Sequence, residues 1–502
     1  MVEPIFEKIN FHQRAGEAKE QIKIDCKTNV QTENVLSVLA VSPSVAVEAT
    51  SVSEGKTAYK AKATFYVSFI DSDGRIRKCE CGNEISGELL SDCFNESAKV
   101  KLTASFDKVE TQTTGIYLSV IGYVTVFAQA FDYQSVPALT SGENIIINES
   151  ELSPFKGLGV CRGTYPVSEE FELPYPVEEV LFHRADAVIT ATQCGVGSII
   201  VDGEVLLSFV LLQKTEKSDI IKESKNIPFR IEVESEDAMP SMQAVASVVE
   251  KSIKTDVSVD EQSGRSLVSV DVSLLIEGEA FTKNSLVVAC DAFSTQNELE
   301  IIKEKYVDYS NEQSRTENAV ISAKAQTSEL PLGTAVLAVS GENISVISAE
   351  CQGENLLITG VYSATVYLKD VENSVFTKKV ESPFEKSFPF GYDCQTQVSV
   401  TAKAYKGQAK ILSASEIGVE SEVYFTVYPV KKCEHCVVKE VRVLGEKQQN
   451  QSAISVYIPA PGEQLWTLAK RLNVCPEKLI ETNKDLQFPL TGDERIVVYR
   501  RK

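Results

Sequence analysis

The chain of 502 residues carries 71 acidic against 50 basic side chains, and a net charge of −21 would repel phosphate backbones and anionic lipid headgroups alike, which excludes nucleic acid and membrane surfaces as expected partners. Hydrophobic residues at 43% and charged residues at 24% are the proportions of a folded globular protein. Single cores rarely grow past about 250 residues, so this length predicts three or four domains.

The opening residues, MVEPIFEKINFHQRAGEAKE, hold no basic segment followed by an apolar run, and no later stretch approaches the roughly eighteen apolar residues of a spanning helix. A cytoplasmic protein without membrane insertion is therefore expected. The twelve cysteines are scattered singly or in loose groups and lack the density of a secreted disulfide framework, which predicts reduced thiols.

Three stretches then dominate the chain: TAYKAKATFYVSFID (57–71), SIIVDGEVLLSFVLL (198–212) and NLLITGVYSATVYLK (355–369). They alternate apolar with polar or small residues and are rich in Val, Ile, Tyr, Phe and Thr, the pattern of half-buried strands. With Ala61, Gly203 and Gly360 placed in register, Phe69, Leu211 and Leu368 follow at the same offset. Further on, Ile85, Pro228-Phe229 and Pro383-Phe384 recur at similar spacing. The anchors lie 142 and 157 residues apart, so the repeating unit is a whole β-rich domain. Stretches dense in Gly, Pro, Ser and Asn (133–166) or otherwise polar (306–318, 445–452) read as linkers, with boundaries near 150, 315 and 450.

The last 49 residues change character. SVYI (455–458) leads through Pro459 and Pro461 into a helical pattern in which Leu465, Leu468, Ala469 and Leu472 share one face. Pro476 suits the first turn of a second helix with Leu479 and Ile480 inward, and RIVVY (495–499) reads as a closing strand. The order is β-α-α-β.

This stretch resembles the LysM domain, through GEQLWTLAKRLNV with Gly462, Leu465, Leu468 and Ala469, and through LIETN ending on Asn483. The resemblance implies a small domain that binds N-acetylglucosamine polymers in a groove between the loops at 460–465 and 484–494. The candidate groove residues are Gly462, Glu463, Gln464, Leu465, Trp466, Asn483, Gly492 and Arg495. Gln464 stands where the family has Thr, and Arg495 where an apolar residue is common. β-rich repeats carrying GEVLLSFVLL…PFRIEV (203–233) and GVYSATVYLK…PFEKSFPF (360–390), closed by a LysM-like module, resemble the SPOCS-domain proteins of spore-forming bacteria. That resemblance implies a mother-cell adaptor at the forespore surface, docking on the coat-basement ATPase or other coat proteins. Peptidoglycan binding is the alternative.

Residues 454–502 hold eight basic against six acidic side chains, a slightly basic tip on an acidic body that could steer it to an acidic partner. Trp466, the sole tryptophan, falls between Leu465 and Leu468 on the helix and is expected to be partly exposed as an interface anchor.

No enzyme motif emerges. Of the three histidines, His12 and His183 lie in different expected domains without a nearby Ser or Cys motif, and GLGVCRG (157–163) spaces its third Gly one residue too far for a dinucleotide loop. No cofactor is expected. CEHC offers Cys433, His435 and Cys436 as minority zinc ligands with Cys394 or a partner subunit giving the fourth, although structural zinc usually needs a second ligand pair at fixed spacing. Together these readings predict a mainly β, non-enzymatic chain. Three tandem β-sandwich-like repeats span 1–150, 151–315 and 316–445, followed by a β-α-α-β LysM-like domain at 453–502.

Overall fold

The structure is a computed structural model that describes residues 2–30, 35–114, 117–215, 219–391, 396–448 and 452–499. The chain is mainly β, as its alternating pattern requires. The first repeat comprises β1 (Glu3–Asn29), β2 (Val35–Ser53), β3 (Lys56–Asp71), β4 (Ile76–Leu90), β5 (Lys99–Thr114) and β6 (Tyr117–Glu143). Two three-stranded antiparallel sheets, β1-β6-β5 and β2-β3-β4, face one another across a core that includes Ile24, Phe65, Val67, Val120 and Val126.

The second repeat reuses this plan with β7 (Ile146–Leu152), β8 (Phe155–Leu173), β9 (Val177–Cys194), β10 (Ser198–Gln213), β11 (Ile220–Glu234), β12 (Gln243–Asp260), β13 (Arg265–Lys283) and β14 (Leu286–Phe293). Its sheets are β8-β13-β12 and β9-β10-β11, with β7 and β14 paired beyond them. The third has β15 (Asn297–Asn311), β16 (Arg315–Gln326), β17 (Ala335–Gln352), β18 (Asn355–Lys369), β19 (Val375–Pro389), β20 (Thr396–Ser413) and β21 (Glu416–Glu446). Here β21 pairs with β15, β16 and β20, and β17-β18-β19 forms the opposing sheet.

The register explains the anchor motif. Ala61, Gly203 and Gly360 sit on the central strands β3, β10 and β18, directly opposite Ile85, Phe229 and Phe384. A Cβ on Gly203 would come within 2.4 Å of the Phe229 ring and of the Val188 carbonyl oxygen, and one on Gly360 within 2.3 Å of the Ser345 carbonyl oxygen. Each phenyl ring lies over its glycine, filling space on the sheet that glycine leaves. Beside both glycines the neighbouring edge strand bulges, at Asp202/Gly203 and at Val346/Ser348. In the first repeat the bulge falls next to Tyr59, two residues before the anchor, and an alanine opposite an isoleucine suffices there.

Each repeat's first and last strands run on past its sandwich as a paired arm: β1 with β6 over Glu3–Gln13, β7 with β14, and β15 with β21. The arms of all three repeats meet around Phe11, Val136, Leu152, Val288, Tyr306 and Val437, with the Phe11 and Tyr306 rings stacked at 5.3 Å. A second cluster joins Leu39, Leu181, Phe182, Ala338 and Tyr367, and there Ser68 and Tyr367 share a hydrogen bond of 2.8 Å.

This pairing corrects the expected linkers and one boundary. Residues 133–166 are almost wholly strand, belonging to β6, β7 and β8, and GLGVCRG lies within β8. Pro137 is accommodated because β6 at that point pairs with β1 alone, so its missing N–H faces no second strand. The stretch 306–318 spans the end of β15 and the start of β16, and β15 pairs with β21 of the third repeat. The division expected at 315 therefore falls at the turn between β14 and β15, residues 294–296.

Past β21 the chain forms β22 (Ile454–Tyr457), α1 (Leu465–Leu472), α2 (Pro476–Thr482) and β23 (Ile496–Tyr499), with β22 and β23 antiparallel. Leu468, Ala469, Leu472, Leu479, Leu490, Ile496 and Val498 make its core. Leu465 is half-buried, whereas Ile480, expected inward, is exposed. Helix α1 ends at Asn473 in the left-handed conformation (φ 54°), a conformation asparagine tolerates. None of the described helices is long and apolar enough to cross a membrane.

Candidate interaction site

Apart from the half-buried Leu465 and Trp466, the residues expected to form a groove divide into three groups. Glu463 and Asn483 are used internally. Glu463 takes two 2.9 Å bonds from Arg471 and accepts the Ala460 N–H at 3.1 Å, and these donors hold its carboxyl below the usual range. The Asn483 side chain accepts the Val497 N–H and donates to the Val497 carbonyl, both at 2.8 Å, acting as an extra rung that ties α2 to β23. Gly462 and Gly492 supply turns with φ of +81° and +99°, where a side chain would be strained. Gln464 and Arg495 are exposed.

The two loops of the expected groove lie side by side and are bonded to each other. Gly462 N–H donates to the Leu490 carbonyl at 2.7 Å, and Leu490 N–H donates to the Glu463 carbonyl at 3.0 Å. Glu494 closes the second loop by accepting the Thr491 and Gly492 N–H groups, and these bonds, that from Thr491 first, bring its carboxyl down to about 2.

Trp466 departs from expectation: it meets the body of the same chain. Its Nε1 donates to Asp291 Oδ2 at 2.7 Å, and its ring packs edge-on to Phe293 with centroids 5.2 Å apart. Lys470, one turn later, reaches Asp291 at 2.8 and 2.9 Å, and Lys303 reaches it at 2.9 Å. Asn473 donates to the Thr295 carbonyl at 2.8 Å and accepts from Lys447 at 2.9 Å. Burial alone would raise the Asp291 carboxyl, but donation from Lys470, Lys303 and Trp466 overrides it and brings the group down to about 2. Asp291 is thus the ionised centre of a latch that fixes the C-terminal module on the β14 end of the body.

Because Trp466 is the only tryptophan, its emission reports this latch. Asp291→Ala is expected to shift that emission to the red and to raise its quenching by acrylamide several-fold. Unchanged emission would mean that the module is held by other contacts.

With Trp466 turned to the body, the module's outward apolar surface lies elsewhere. Ile454 and Val456 on β22 stand opposite Tyr499 and Val497 on β23, so the four project from one face, and Ile458 extends it. Ile454, Val456, Ile458 and Tyr499 are 59%, 59%, 72% and 61% exposed, while Tyr457 and Val498, on the other face, pack on the helices. Sequence reasoning missed this face, although the alternation Ile454, Val456, Ile458 was its signal. Few side chains are so exposed and so apolar in a row without a partner to cover them.

The minority zinc site is not formed. CEHC lies inside β21, where strand alternation puts Cys433 and His435 on one face and Cys436 on the other. Cys394 lies outside the described residues, and among those described no three His, Cys, Asp or Glu side chains gather as a metal site. A cleft lined by Gln13, Gln134, Glu304, Lys305, Tyr306, Val307 and Tyr309 encloses about 320 Å³, and its one carboxylate, Glu304, is paired with Lys439.

Compared with known proteins, the chain matches no family model, no curated protein and no solved structure.

Proposed function

We propose that the protein is a non-enzymatic adaptor in spore coat assembly, acting in the mother-cell cytoplasm and docking through its C-terminal module onto a coat-basement ATPase at the forespore surface. The observation that supports this reading best is the exposed strip Ile454, Val456, Ile458 and Tyr499, on a module whose opposite side is latched to a body of three interlocked repeats. A latched module presents that strip in a fixed orientation, and pre-ordering lowers the entropy lost on docking. Basic residues Arg500, Arg501 and Lys502 follow the strip in sequence and suit an apolar patch with an acidic rim on the partner. The SPOCS and LysM resemblance supplies the setting.

Val456→Lys places a charge in the middle of the strip without touching the module's core. It is expected to weaken capture of the basement ATPase at least tenfold while the melting temperature stays within about 2 °C of the parent. Capture at parental strength would remove the strip from the docking surface. Calorimetric titration with N-acetylglucosamine oligomers is expected to show no binding, since Glu463 and Asn483 are already bonded within the module. Micromolar binding that is lost in Gln464→Ala or Arg495→Ala would favour the peptidoglycan-binding alternative.

A further inference from the structure

All three histidines of the chain lie where repeats touch. His12 of the first repeat packs on Phe155 of the second, and its ring bonds to the Tyr309 carbonyl of the third at 2.7 Å. His435 of the third stacks on Phe11 of the first at 5.6 Å. His183, on β9 of the second, meets the edge of Tyr66 from β3 of the first at 4.9 Å.

Their electrical surroundings differ. Burial lowers both His12 and His435, and the Asp308 carboxylate beside both, with the Tyr309 carbonyl and Glu279 at His12, offsets part of that effect, against Lys99. His183 has no such match. Its Nδ1 is 3.0 Å from the Thr255 hydroxyl of β12, and its Nε2 is enclosed without a hydrogen-bond partner among the described residues. The charge acting on the ring is Lys78 from β4, of the wrong sign. The other ionisable groups at this contact are Glu179 on β9, which faces Lys78 and Arg77, and Glu80 of β4, which lies by Tyr66.

We propose that acid opens the contact between the first and second repeats through His183, whose second ring nitrogen can be satisfied as a cation only when the ring reaches water. Burial first, and then Lys78, hold the folded ring down to about 4, whereas a hydrated histidine titrates near 6.5. The proton therefore binds the opened form more tightly. The contact is at full strength above about pH 6.5 and is progressively lost as pH falls toward 4. At pH 5 these two values favour the opened form roughly twentyfold more than at neutral pH. Burial also lowers His12 and His435, so acid weakens the arm contacts in the same direction, with Asp308 opposing it in part, whereas at His183 no carboxylate opposes it.

The full-length protein labelled with 13C in its histidine rings gives three titrating signals. One is expected to have a midpoint near 4 and to vanish in His183→Gln, which keeps a group able to bond Thr255. Lys78→Gln, a change on an exposed side chain, identifies the same signal by raising its midpoint. Amide exchange in β3, β4 and β9, corrected for intrinsic rates, is expected to show opening that grows by an order of magnitude or more between pH 7 and pH 5 in the parent and much less in His183→Gln. A His183 midpoint near 6.5, or equal acid opening with and without the histidine, overturns the proposal.

Discussion

Replacing Glu342 by alanine is expected to cost about 3–5 kcal/mol of stability, the range for removing one partner of a buried ion pair. Glu342 is 3% exposed at the junction of the second and third repeats, where its carboxylate pairs with Lys222 and accepts the Gly407 N–H at 2.9 Å. Arg184 donates to the Glu342 backbone carbonyl at the same place. Truncation leaves the part-buried Lys222 ammonium with the Gly407 carbonyl at 3.0 Å as its remaining acceptor and the Gly407 N–H with no carboxylate, and it is this stranded charge that costs most. Lys222→Met combined with Glu342→Gln removes both charges and keeps an acceptor for Gly407, so the double variant should recover more than half of the loss. Urea denaturation of the parent and the two variants provides the measurement. A loss below about 1 kcal/mol for Glu342→Ala would show that the junction admits water.

Alanine at Gly203 or Gly360 is expected to destabilise by about 2–4 kcal/mol, although alanine ordinarily suits a strand better than glycine by about 0.5–1 kcal/mol. The sign is decided by contact. A new Cβ would lie 2.4 Å from the Val188 carbonyl oxygen at Gly203 and 2.3 Å from the Ser345 carbonyl oxygen at Gly360, and a backbone oxygen in a sheet cannot step aside as a side chain can. The first repeat provides an internal control, since Ala61 faces Ile85 and lies away from its bulge. Gly360→Ala with Phe384→Ile should therefore regain only the part of the loss due to the ring. Thermal melts showing Gly360→Ala to be neutral would mean that the bulge at Val346/Ser348 can relax.

How much of this was legible beforehand differs by element. The strands β3, β10 and β18 declare themselves because their alternation is a local property, and the recurrence of Gly203 and Gly360 with a downstream Phe marks a shared register. Helix α1 is equally plain in the spacing of Leu468, Ala469 and Leu472. Residues 133–166 were not, because Gly, Pro, Ser and Asn signal a turn unless it is known which edge of the strand is unpaired. The candidate site divides in the same way. Asn483 and the two loop glycines stand at the positions the motif assigns, but their bonds fold the module, and the exposed strip lies on strands too short for alternation to be persuasive.

By itself the amino-acid sequence determined the β class, the tandem repetition and the β-α-α-β order at the C-terminus, because periodicity, caps and turns act over a few neighbouring residues. Only the tertiary structure decided that β15 belongs to the third repeat, that Trp466 turns toward Asp291 and Phe293, and that each histidine sits between repeats. Those outcomes rest on contacts between residues more than a hundred positions apart. A lone tryptophan reads the same in the sequence whether its nitrogen faces water or a carboxylate on another domain, and which it meets depends on how the packed repeats bring the surfaces together.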